Sequence, residues 1–139
     1  MISRSSQLLQ ALVQGGRIQT DAFRARKFML HALEPVLSTF PVEARNAIDV
    51  ARRSVRAQVE DDDLLGASDT CWKAMRSKNC DIPHVLGYAY RAAIGTCATQ
   101  AQSEDPWTAL DFFILCAQHS GVPDEHLEEA LVKTYGPAT

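Results

Sequence analysis

The segment from Pro41 to Asp63, PVEARNAIDVARRSVRAQVEDDD, sets Val42, Ala44, Ala47, Ile48, Ala51, Val55 and Val59 mostly three or four residues apart. Side chains at that spacing share one face of an α-helix, whereas a half-buried strand requires alternation at two. The spacing predicts a helix of about five turns, opened by Pro41 and closed by the acid run Glu60-Asp61-Asp62-Asp63. Arg45, Arg52, Arg53 and Arg56 take the remaining surface. Asp49 stands four residues from both Arg45 and Arg53, so its carboxylate can pair in either direction. Such a helix must bury its apolar stripe against other helices.

The rest of the chain keeps the same period. A first helix is expected over Ser3–Gln14, with Leu8, Leu9, Leu12 and Val13 inward and Gly15-Gly16 as its stop. A second starts at a Thr20 or Asp21 cap and runs towards Phe40. It carries Ala22, Phe23, Met29, Ala32, Leu33, Val36, Leu37 and Phe40 as packing residues, and Pro35 predicts a kink or break between His31 and Glu34. Beyond the acid run, one aspartate caps a fourth helix over Asp63–Ser77, with Leu64, Leu65, Ala67, Cys71, Trp72 and Met75 inward. Lys78-Asn79-Cys80-Asp81 reads as a polar connection. A fifth helix runs from Pro83 to Gln102, and its many small residues suit a central position. Asp105-Pro106 opens a sixth helix reaching Ser120, apolar in almost every direction and so expected to be buried on several sides. The last runs from Pro123 to Tyr135 and ends at Gly136-Pro137. Trp72, Leu86, Leu110, Ile114 and Ile48 are expected in the core. No stretch alternates as a strand would. The fold class expected is all-α: a single domain over residues 1–139, a compact bundle of six to seven helices without a sheet.

Charge and composition narrow the function classes. At 46% hydrophobic and 22% charged the chain can bury a full core and is not of a disordered type. A net charge of -3 and a pI near 5.7 argue against nucleic-acid binding. The charge is unevenly placed: residues 1–56 sum to +5 and residues 57–139 to -8. Two halves that attract within one globule explain this; an acidic surface for a basic partner is the functional alternative. No secretory signal and no run of membrane-spanning length is visible, so a cytoplasmic protein without membrane contact is expected. In that reducing setting Cys71, Cys80, Cys97 and Cys116 read as buried free thiols.

No arrangement of residues announces chemistry. Cys116 and His119 are three apart on a helix, but two ligands fall short of the three or four a zinc ion takes. No His-Glu-x-x-His or Cys-x-x-Cys motif, nucleophile elbow or phosphate-cradling glycine loop occurs. Glu60 to Asp63 lacks the alternating ligands and glycine of a calcium loop. Asp111 and the Glu125/Glu128/Glu129 group read as solvated helix acids. Arg45, Arg52 and Arg56, with Arg24, Arg26 and Lys27 on the preceding helix, are interleaved with acids, unlike a groove-binding stripe. No catalytic, cofactor-binding or metal-binding residue is expected, and the protein is read as a non-enzyme.

The stretch Phe23 to Ala74 resembles small all-helical immunity proteins of bacterial polymorphic-toxin systems. The residues that carry the likeness are Arg26 and Phe28, Ala32-Leu33-Glu34 with Val36-Leu37, then Pro41, Ala44-Arg45, Ala47-Ile48 and Ala51-Arg52, with Ala67 and Trp72 beyond. The resemblance implies a bacterial protein that neutralises a toxin by direct binding, with a protein partner, no cofactor and no catalysis. A helical adaptor or regulator is one alternative. Another is a small enzyme or ligand-binding bundle with its site among the fifth and sixth helices. The residues expected to meet the partner are Glu60, Asp61, Asp62 and Asp63 with Asp124, Glu125, Glu128 and Glu129, because a toxin acting on nucleic acid carries a basic cleft.

Overall fold

The computed structural model describes residues 2–18, 21–57, 59–80, 84–102 and 105–136. Among them the chain forms seven α-helices and no strand: α1 (Arg4–Gln14), α2 (Ala22–Leu33), α3 (Val42–Arg56), α4 (Asp61–Lys78), α5 (Val85–Thr96), α6 (Pro106–His119) and α7 (Asp124–Tyr135). Short 3-10 segments lie at Glu34–Thr39 and Gln100–Gln102. The all-α bundle read from the periodicity is the observed architecture.

Local chemistry sets the boundaries. Ser3, Asp21 and Asp105 cap α1, α2 and α6 by accepting backbone N–H bonds from Ser6, Arg24 and Thr108. The break expected at Pro35 is present: α2 stops at Leu33 and the chain tightens into the first 3-10 segment. Asn79 ends α4 in the left-handed conformation, φ 54°, which asparagine tolerates better than most residues. α5 opens on His84, whose Nδ1 accepts from the Leu86 N–H. The Thr20, Asp81, Pro83 and Pro137 expectations lie outside the described residues.

Packing places α5 at the centre, against α2, α3, α4 and α6; α1 lies across α6 and α7, and α7 also packs on α2. The small residues Gly87, Ala89, Ala92 and Ala93 of α5 are all buried, which permits that close approach. The core is continuous through Leu9, Leu12, Phe28, Leu33, Ile48, Leu110, Ile114, Leu127 and Leu131. Each such side chain contributes about 1.5–3 kcal/mol of transfer free energy. Cys71, Cys80, Cys97 and Cys116 are all buried and unbridged, as expected.

Several expectations are corrected. α3 ends at Arg56, so Val59 lies beyond it, and α4 begins at Asp61 with Glu60, not an aspartate, at the cap position. α5 ends at Thr96 rather than Gln102. Leu86 is half-buried. Trp72 is 37% exposed, because Leu64, Cys71 and Met75 occupy the covered face of α4 and Trp72 sits about 100° round from Cys71. Leu65, Phe23 and Val42 also face outward. α6 is not buried all round: Leu110, Phe113, Ile114 and Ala117 form its inner stripe, while Phe112 and Leu115 face solvent. Asp49 pairs with Arg53, at 3.4 Å, and not with Arg45.

Candidate functional sites

The acids expected to meet a partner divide into two groups on helices with different packing partners. Glu60 to Asp63 open α4, which packs on α3 and α5; Asp124 to Glu129 belong to α7, which packs on α1 and α2. Glu60, Asp61, Asp62 and Asp63 are all exposed, and none makes an ion pair among the described residues. Asp61 to Asp63 occupy the first turn, where the helix dipole favours negative charge.

The α7 group is partly committed inside the fold. The Asp124 carboxylate accepts from the Ser5 backbone N–H at 3.2 Å, from the Ser5 hydroxyl, and from Gln118 Nε2 at 3.0 Å. Burial alone would raise its pKa, but those hydrogen bonds outweigh it and hold the carboxyl below its ordinary range. Glu128 pairs with Arg4 at 3.2 Å. Glu125 and Glu129 stand exposed.

Beside the first acid group runs a groove of about 470 Å³ between α3 and α4. Ala47, Val50, Val59 and Ala67 supply apolar lining, and Asn46, Arg53, Asp62, Asp63 and Thr70 supply polar lining. Gly66 also lines it, and a Cβ built there would meet nothing within 4 Å. Glu43, which also lines the groove, accepts from the Tyr90 hydroxyl at 2.8 Å and from Lys78 Nζ at 3.1 Å. Its own backbone N–H, then Tyr90, then Lys78 hold its pKa below the ordinary value.

A second cleft, of about 180 Å³, lies between α2, α5 and α6. One face of α2 (Ala22, Ala25, Arg26, Met29), one face of α5 (Arg91, Ile94, Gly95) with Ala98 just beyond its end, and Ala109, Leu110 and Phe112 of α6 line it, with Trp72 of α4 and the capping residue Asp21. Arg91 lies over the Trp72 ring at 5.0 Å. Arg26 is only 7% exposed, so it is not the surface partner of Arg24 and Lys27 that the sequence suggested. Its Nε donates to the Thr96 carbonyl at 2.9 Å and its Nη2 to the Ala98 carbonyl at 2.7 Å, satisfying acceptors at the end of α5. Sequence reasoning missed this residue. The available signal was position: Ala22, Arg26, Met29 and Leu33 form the inward stripe of α2, and a cation there must be held by specific partners.

Cys116 and His119 do not converge. Cys116 is fully buried, whereas His119 is exposed and stacks on the Tyr88 ring at 4.3 Å. No group of three or more His, Cys, Asp or Glu able to hold a metal ion occurs among the described residues. No helix there is long and apolar enough to cross a membrane. No family model, curated protein or solved structure matches this chain.

Proposed function

We propose that this protein acts by binding another protein, as an immunity-type inhibitor that neutralises a bacterial toxin in the cytoplasm, without catalysis of its own. The observation that carries the reading is the pairing of Asp62 and Asp63 with the α3–α4 groove. Exposed carboxylates on the wall of a partly apolar groove supply both halves of a recognition surface, steering charge and a place for side chains to dock. The likeness of Phe23 to Ala74 to immunity proteins supplies the toxin as partner. Glu60 and Asp61 extend the same negative end, and Glu125 and Glu129 form a separate exposed group on α7.

The test compares association of wild-type protein with a basic toxin domain, recovered from the native cell by affinity purification and shown to be neutralised on co-expression. Asp62→Lys with Asp63→Lys should slow association by about tenfold or more at low salt, with the difference shrinking as salt rises. Gly66→Phe, which projects into the groove, should weaken binding at every salt concentration. Unchanged association in both variants, with native helicity, overturns the groove as the surface. Loss only on Glu125→Lys with Glu129→Lys moves it to α7. Recovery of no toxin, only of metabolic enzymes, overturns the functional reading.

A further inference from the structure

We propose that the cleft between α2, α5 and α6 is a binding site for a small carboxylate with a single-ring or similarly compact apolar body, held by Arg26. Size is the first argument. A cavity of about 150 Å³ lined by apolar side chains takes up benzene, and this cleft measures about 180 Å³. Met29, Ile94, Leu110 and Phe112 offer a ring the contacts it needs.

Charge is the second argument. Arg26 is more than nine-tenths buried yet has no carboxylate at ion-pair distance among the described residues. Its hydrogen bonds, to Thr96 and Ala98, use Nε and Nη2; among the described residues Nη1 makes none. A guanidinium presents five donors in a planar fork suited to a carboxylate, so a lining arginine with an uncommitted nitrogen selects an anion. Asp61 acts on Arg26 only through its longer-range field, and the Asp21 carboxylate, which also lines the cleft, stays charged while it accepts from the Arg24 N–H, so it is the Arg26 fork that must place a ligand's carboxylate. An apolar body with one negative group therefore matches the cleft better than a neutral or a cationic one. This site is separate from the α3–α4 groove, and its test is independent of any toxin.

The experiment titrates the purified full-length chain, isotope-labelled, with benzoate and phenylacetate, and with benzamide as the neutral isostere, followed by NMR. The expected result is saturable shifts of the Trp72 indole N–H and of the Ala25 and Ala98 methyls, with the carboxylates binding about tenfold or more tightly than the amide. Ala25→Leu, which fills the cleft and leaves Arg26 in place, should abolish the response. Arg26→Met should erase the difference between carboxylate and amide. If that variant does not fold, the difference measured on wild-type protein decides alone. Equal binding of amide and carboxylate, shifts that map elsewhere, an unchanged response in folded Ala25→Leu, or no saturation by either acid overturns the proposal.

Discussion

The Tyr90 hydroxyl donates a 2.8 Å hydrogen bond to the Glu43 carboxylate and receives one of 2.6 Å from Lys78 Nζ, so a single buried ring ties α5 to both α3 and α4. The ring itself is fully buried while the charged pair is partly exposed. Tyr90→Phe keeps the packing and deletes only the hydroxyl. It should cost about 1 kcal/mol, read as a lower urea midpoint with an unchanged slope.

The same carboxylate and Asp124 both contribute to the acid limb of stability. Both have folded pKa values below their ordinary range. Their contribution is therefore complete above the ordinary carboxylate range and is lost as pH falls through the folded values. Unfolding free energy should hold from neutrality to the ordinary carboxylate range and then decline. Asp124→Asn should be less stable at neutral pH and show a shallower decline, measured by urea titration across acidic pH.

The four thiols should be inert in the native state. Burial pushes Cys71 up to about 12 and Cys116 up to about 11, and raises Cys97 as well, so these three hold almost no thiolate near neutrality, while Cys80 is shielded by being buried. A thiol reagent added to native protein should label slowly and label all four on unfolding. Rapid labelling of native protein, or a Cys71–Cys80 bridge found by mass spectrometry, would contradict the packing described.

Gly66 is a helical glycine with open space around its missing Cβ. Gly66→Ala should stabilise the protein by about 0.5–1 kcal/mol, since alanine is the better helix former and nothing is displaced. Ile114 is the opposite case, fully buried within the inner stripe of α6. Ile114→Ala should cost about 2–5 kcal/mol, and a loss below about 1 kcal/mol would misplace α6.

The helices themselves were legible because their signals are local. Pro35 removes a backbone donor and clashes with the preceding turn, which any sequence shows; Asp21 and Asp105 cap by bonds three residues long. What could not be read was which side of a helix the neighbours cover. Trp72 and Cys71 adjoin in sequence, and hydrophobicity alone ranks both as core, but the neighbouring helices bury Cys71 completely and leave Trp72 37% exposed. Phe112 and Leu115 were misplaced for the same reason. Arg26 escaped because its partners, the carbonyls of Thr96 and Ala98, lie 70 and 72 residues away. Of the acids, their exposure along α4 was legible, whereas the commitment of Asp124 to Ser5 depends on contact between helices 119 residues apart.

That clasp between Ser5 and Asp124 bears on the order in which the protein can be made. α1 leaves the ribosome before α2 to α5, yet the surfaces that cover Leu9 and Leu12 belong to α6 and α7, which are synthesised after them. Throughout translation α1 must therefore wait as a nascent amphipathic segment, open to chaperones, while α2 to α5 can already assemble around one another. Ribosome-bound chains stopped before residue 124 should yield a protease-resistant centre with a cleavable N-terminal helix, and α1 should become protected only after α7 has emerged.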